Sequence, residues 1–249
     1  MEDNYLERFY ELFEQMPRQG PGDDDSARRL LDALSVSGPG PLRHIADMGC
    51  GSGAGTLWLA RHTDAVIDAL DNYRPFLQRL EREARAQGLA QRITTHAAGM
   101  AAPPFPPEHF DLIWSEGAAY LIGFTQALAL WRHLLRSGAH LVVTEMCWFT
   151  DTPSPEARAF WAEGYPEMAT PAQRIAQAKA AGYKVLRRFR LPPRAFNRFH
   201  RDLRQRLETL RARHGDHQVY RECEQEIALF RDNRGAFGYF CLLLQKTDR

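Results

Sequence analysis

The stretch Ile45-Ala46-Asp47-Met48-Gly49-Cys50-Gly51-Ser52-Gly53-Ala54-Gly55 carries the strongest chemical signal in this 249-residue chain. A short apolar run that ends in glycines lets a ligand approach the backbone closely, because no Cβ intervenes. The helix expected next offers unpaired N–H groups and a positive dipole end. That combination suits a phosphate or the carboxylate of an amino acid. Asp71 follows a second apolar run, 66–70, and opens the next turn with Asn72. A carboxylate there can accept from both hydroxyls of a ribose; its other role would be to cap the helix starting near Tyr73. Gly49-x-Gly51-x-x-Ala54 also satisfies the dinucleotide fingerprint in its G-x-G-x-x-A form, so NAD remains a reading of the loop alone.

The elements that must hold these residues follow from periodicity. Strands are expected at 43–48, 65–70, 92–96, 110–115, 139–145, 183–191 and 239–245. Helices are expected from the glycine loop to about 61, over 73–87, over 124–135 and up to about 181. Ser137-Gly138 reads as the turn into the fifth strand. Strand and helix alternate, which predicts an α/β, Rossmann-like, doubly wound and mostly parallel seven-stranded sheet. Before it, residues 4–16 set Tyr5, Phe9, Leu12 and Phe13 on one helical face, and 26–34 form a second helix. Between them the breaker cluster 17–22 reads as a lid loop or a simple interhelix turn. We expect one domain over 1–249: a helical lid at 1–40, a ligand-binding core at 41–146, and a substrate-side segment at 147–249 with a helical insert before the last strand.

The formal net charge of +1 gives no global attraction to nucleic acid or an anionic membrane. The four cysteines include no C-x-x-C pair, and the nine histidines no H-x-x-x-H pair, so neither a disulfide framework nor a metal site is expected. The acidic N-terminus and the shortness of every apolar stretch fit a soluble, cytoplasmic protein.

Four ordered motifs decide between the readings of the loop. Asp47-x-Gly49-x-Gly51-x-Gly53 resembles the first motif of class I S-adenosylmethionine (SAM)-dependent methyltransferases. The segment 98–105, followed by Phe110-Asp111-Leu112-Ile113-Trp114-Ser115-Glu116, is similar to the adenine-side loop and fourth strand of ubiquinone/menaquinone-biosynthesis-type enzymes. The run 134–143 is similar to their turn into strand five. The resemblance covers 45–145 and implies that Gly49, Cys50, Gly51 and Gly53 cradle the methionine moiety, with Asp47 orienting its amino group. It implies Asp71 and Asn72 at the ribose, Gly99, Met100 and Ala101 at the adenine, and Ser115 and Glu116 beside the sulfonium. One departure stands out: Met100 occupies the place of an acid that receives the adenine amino group in this family. Arg18, on the lid loop, is a candidate partner for the SAM carboxylate.

Methyl transfer is an in-line displacement that asks mainly for alignment, and a base is needed only if the acceptor must lose a proton. Glu116 and Tyr120 are the nearest catalytic candidates, followed by Glu145; Glu116 competes as a partner of the SAM amino group. Trp114, Tyr120, Trp148, Phe149, Phe160, Trp161 and Tyr165 cluster after the strands, as an aromatic acceptor wall or as core. The expected reaction is methylation of a small-molecule acceptor, with S-adenosylhomocysteine as product and no metal. The alternatives are an RNA methyltransferase using the arginine-rich segment 184–214 and an NAD-dependent Rossmann oxidoreductase. The bland reading of that segment is a solvated helix balanced by the acidic N-terminus, within one chain or across a homodimer.

Overall fold

The computed structural model describes residues 4–38 and 40–248. Its seven strands are β1 (His44–Met48), β2 (Val66–Asp71), β3 (Ile93–Ala97), β4 (Phe110–Glu116), β5 (Leu135–Trp148), β6 (Tyr183–Arg190) and β7 (Phe237–Lys246). They lie in the order β3-β2-β1-β4-β5-β7-β6, parallel except for β7, which runs antiparallel between β5 and β6. The α/β, mostly parallel sheet is therefore the expected one. The strand order reverses between β1 and β4, and at such a switch point the crevice outside the carboxyl ends of the strands receives ligands.

The helices are α1 (Tyr5–Glu14), α2 (Asp24–Val36), α3 (Ala54–His62), α4 (Arg74–Ala86), α5 (Phe124–Leu134), α6 (Pro155–Gly164), α7 (Pro171–Ala180), α8 (Pro193–His214) and α9 (Gln218–Asp232). One face of the sheet buries Trp58 and Leu59 of α3, Leu30 and Leu34 of α2 and Phe196 of α8 against Ile45, Trp114, Val142 and Leu243. The other buries Phe124, Leu128 and Trp131 of α5 and Ala178 of α7 against Met48, Ile113, Val143 and Leu242. Helix α2 starts where the Asp23 carboxylate accepts the Ser26 N–H at 2.8 Å, an N-cap worth about 1 kcal/mol.

Three features depart from the sequence expectation. Helix α6 was not anticipated, although Ser154 caps it and Pro155 opens it. The insert before β7 is two helices broken at Gly215, and both pack on α1: Leu12, Phe13 and Met16 share a core with Leu203, Leu207, Leu210, Tyr220 and Ile227. The expected turn at Ser137-Gly138 lies inside the β5 strand run, where the β4–β5 register shifts.

Strand β6 is an edge. Its pairing with β7 shifts register between Val185 and Arg187, and it carries Lys184, Arg187, Arg188 and Arg190. Bulges and cations are the usual means of blunting an open edge. Much of the remaining arginine-rich segment is committed within the chain. Arg206 donates to the Glu11 carbonyl at 2.9 Å, Arg213 and His214 pair with the Glu11 carboxylate, and Arg194 pairs with Asp23 and Asp25. Glu11, Asp23 and Asp25 of the acidic N-terminal region thus find partners inside one chain. Among the described residues, no helix is long and apolar enough to cross a membrane.

Candidate functional site

A cavity of about 500 Å³ opens at the switch point. Arg18, Asp47, Gly49, Cys50, Gly51, Asp71, Asn72, Gly99, Met100, Ala101, Glu116 and Tyr120 all line it. Two expected site residues do not. Gly53 sits behind the loop with φ 87°, and a Cβ there would collide with the Leu80 side chain, so its lack of a side chain serves the packing of α4 on the loop. Ser115 is fully buried and its hydroxyl donates to the Met48 carbonyl at 2.9 Å, bracing β4 against β1.

The glycine loop does not present a row of free N–H groups. Gly49 and Cys50 donate to the Leu70 carbonyl at 2.9 and 3.0 Å, and Gly53 to the Cys50 carbonyl at 3.0 Å. Gly51 donates to Asp71 Oδ2 at 2.9 Å and Ser52 to Gln19 Oε1 at 2.8 Å. A diphosphate would have to break these bonds, which argues against the dinucleotide reading. Ala54 and Gly55, which open α3, also line the cavity. They bring the positive end of the helix to it.

Opposite that helix end stand three charged side chains. Arg18 Nη1 donates to Glu116 Oε2 at 2.7 Å, and Trp114 Nε1 donates to Glu116 Oε1 at 2.8 Å. Asp47 is nearly buried and its Oδ2 accepts the Thr56 hydroxyl at 2.6 Å. Burial pushes the Asp47 carboxyl up to about 7, against the pull of the Thr56 hydrogen bond. A Cβ at Gly55 would stand 3.4 Å from Asp47 Oδ2 and 3.7 Å from Glu116 Oε1, so α3 closes directly onto both acids. One guanidinium flanked by two carboxyls matches the charges of an amino-acid zwitterion. At the other end, Asp71 Oδ1 accepts the Tyr73 N–H at 2.9 Å while Oδ2 holds Gly51. Each oxygen keeps a lone pair for a diol, and burial raises this carboxyl as well.

Gln19 was not anticipated, because nothing in its type or neighbours marks it. Its oxygen accepts from both the N–H and the hydroxyl of Ser52, while Nε2 donates to the Phe13 and Met16 carbonyls at 3.1 and 3.3 Å. The aromatic wall also differs from the expected one. Phe9, Tyr10, Phe13 and Phe76 line the cavity with Tyr120. Trp114 is buried beside Trp58, Trp148 and Trp161 pack edge-on to Phe237, and Phe160 packs against Trp161. These belong to the core because the sheet face beneath them is apolar. Tyr120 is poorly suited as a base, since burial and neighbouring carboxylates push its phenol up to about 12.

Residues 45–138, less than half of the chain, match the model of the methyltransferase domain family. Methyltransferase GfsG of Streptomyces halstedii is 28% identical over 119 residues, spanning 47% of this chain and 42% of that protein. The chain thus spans less than half the length of this curated relative. A SAM-dependent methyltransferase of Geobacter sulfurreducens, solved with S-adenosylhomocysteine, is similar at TM-score 0.79 and 19% identity, covering 95% of this chain and 97% of that one. The [4+2]-cyclase SpnF is similar at TM-score 0.77 and 19% identity, covering 98% and 96%. The shared fold extends over nearly the whole chain, and it hosts more than one reaction.

Proposed function

We propose that this chain transfers a methyl group from SAM to a small-molecule acceptor and releases S-adenosylhomocysteine. One observation carries the reading: a single cavity holds the zwitterion-matching set Arg18, Asp47 and Glu116 at one end and the diol-accepting Asp71 at the other. When bound, SAM supplies an electrophilic methyl on a sulfonium. The chain's own part is to bind and orient. Arg18 and the N-terminal end of α3 hold the carboxylate, and Asp47 with Glu116 holds the ammonium. Asp71 and Asn72 take the ribose, while Gly99, Met100 and Ala101 border the adenine. The Met100 sulfur, 3.0 Å from where a Gly49 Cβ would be, offers a polarizable surface in place of an acid.

Residues 17–22 and α1 act as the lid of a single domain, with Phe9, Tyr10 and Phe13 excluding water from the cavity. Such positioning can supply about 7–11 kcal/mol of a bimolecular barrier. Isothermal titration with SAM, S-adenosylhomocysteine and NADH tests the assignment. Micromolar binding of the first two alone is expected; binding of NADH alone would overturn it.

A further inference from the structure

A second cavity adjoins the first and has no part in holding the cofactor. It is a groove of about 1340 Å³, lined from α5, from α7 and from residues 164–169. The groove and the cofactor cavity share the side chains of Tyr120, Leu121 and Ile122, all in the short turn Ala119–Ile122 that follows β4. That turn is a partition with a ligand space on either side. Its crest is apolar and open: Leu121 is 65% exposed and Tyr120 36%. Two large apolar side chains next to each other in water, at the lip of two cavities, mark a contact site. The Tyr120 ring lies 5.3 Å from that of Tyr165, which lines the groove.

The charge of the groove narrows what it can take. Glu167 is the one charged side chain among the described residues that line it. Arg174 is buried away from it, with its guanidinium over the Phe124 ring at 4.8 Å. Its N–H groups donate to the Tyr165 hydroxyl, to the Glu167 carbonyl at 2.8 Å and to Gln177 Oε1 at 3.0 Å. A phosphate or carboxylate therefore finds no cation in the groove. An ammonium finds a single exposed carboxylate, which is worth little in water. Neutral hydrogen-bonding groups are present instead. The side chains of Thr125 and Gln126 have no hydrogen bond among the described residues, and Gln177 engages its amide oxygen but not its nitrogen. Amides and hydroxyls of this kind suit hydroxyl and carbonyl oxygens carried on an apolar frame. The volume exceeds both the cofactor cavity and the upper end of ordinary ligand pockets, about 1000 Å³.

We propose that this groove docks the body of the methyl acceptor, and that the acceptor is a bulky, uncharged molecule rich in hydroxyl and carbonyl oxygens. Its reactive end crosses the Tyr120–Ile122 turn to meet the cofactor. This rests on the methyltransferase reading and gives its substrate class. The exposed side chains of Ala129 on α5 and Ala176 on α7 keep the groove wide enough for a ring system.

The test is binding of one ring system in three charge states to the whole chain, with and without S-adenosylhomocysteine, read by saturation-transfer NMR and titration calorimetry. The probes are hydrocortisone, its phosphate ester and its diethylaminoacetate ester, which are neutral, anionic and cationic. Hydrocortisone should bind in both conditions, and the charged esters at least about tenfold more weakly. Ala129→Trp and Ala176→Trp, at exposed helix positions, should each weaken hydrocortisone binding by about tenfold or more. Their S-adenosylhomocysteine affinity should stay within about twofold of the parent protein. Equal binding of the esters, absence of hydrocortisone binding, or full affinity in both variants would overturn the proposal. So would displacement of the steroid by S-adenosylhomocysteine, which would put it in the cofactor cavity. A dimer that Ala176→Trp breaks would give the groove to a second copy and overturn it as well. Hydrocortisone binding by a chain that binds no S-adenosylhomocysteine would keep the groove as a binding site and overturn its role in methyl transfer.

Discussion

The Gln19 side-chain oxygen accepts from the Ser52 N–H at 2.8 Å and the Ser52 hydroxyl at 3.0 Å, so the chain just after α1 is fastened to the glycine loop by one amide. The same amide's nitrogen holds the Phe13 and Met16 carbonyls.

Gln19→Ala should therefore loosen the lid without unfolding the core. The expected signs are faster proteolytic nicking at 17–22 and a several-fold loss of S-adenosylhomocysteine affinity, the size of one or two hydrogen bonds. Unchanged nicking and affinity would show that the lid is held by α1 packing alone.

Arg18 is assigned to the amino-acid end of the cofactor, and the two ends can be probed apart. Arg18→Ala should weaken S-adenosylhomocysteine binding by about tenfold or more, the worth of a charged hydrogen bond. It should leave 5′-methylthioadenosine, which lacks the amino acid, nearly unaffected. Equal losses for both ligands would remove Arg18 from the carboxylate.

Asp71→Ala should weaken SAM and S-adenosylhomocysteine alike by about 1–3 kcal/mol, since hydrogen bonds to a buried charge are lost. It also frees the Gly51 N–H that Asp71 now holds. Titration calorimetry that found parent affinity would put the ribose elsewhere.

Stability should depend on pH in a direction set by buried carboxyls. Asp47, Glu145 and Glu226 are each raised to about 7 by burial. The unfolded chain loses these protons first, so their contribution falls as pH rises from about 4 to about 7 and is flat above that. Burial lowers His140 and takes His200 down to about 4, and these two act oppositely, adding stability that is lost as pH falls below about 6.5. Glu226→Gln isolates one acid: its gain in Tm over the parent should be larger at about pH 8 than at about pH 5. A gain that does not change with pH would mean that the carboxyl titrates near its ordinary value.

The parts of this molecule legible in the sequence are those fixed by local pattern. Strand–helix alternation gave the sheet, and the glycine spacing with Asp71 one strand later marked the residues that now line one cavity. Long-range contacts were not legible. Nothing local distinguishes Gly53, which makes room for Leu80, from Gly51, which faces the cavity. Nor does any local pattern reveal that Gln19 reaches Ser52. The aromatic residues misled for the same reason: Trp148, Phe160 and Trp161 follow strand five as wall residues would, but an apolar sheet face lies beneath them.

The place of β7 between β5 and β6 also has a consequence during synthesis. On the ribosome β6 emerges before the strand that will separate it from β5, and about 45 residues of insert follow before residues 237–246 arrive. Through that interval the nascent chain exposes an unpaired β6 and one open flank of β5. Lys184, Arg187, Arg188 and Arg190 repel stray strands while it lasts. The cations on this strand serve the unfinished polypeptide as much as the finished one.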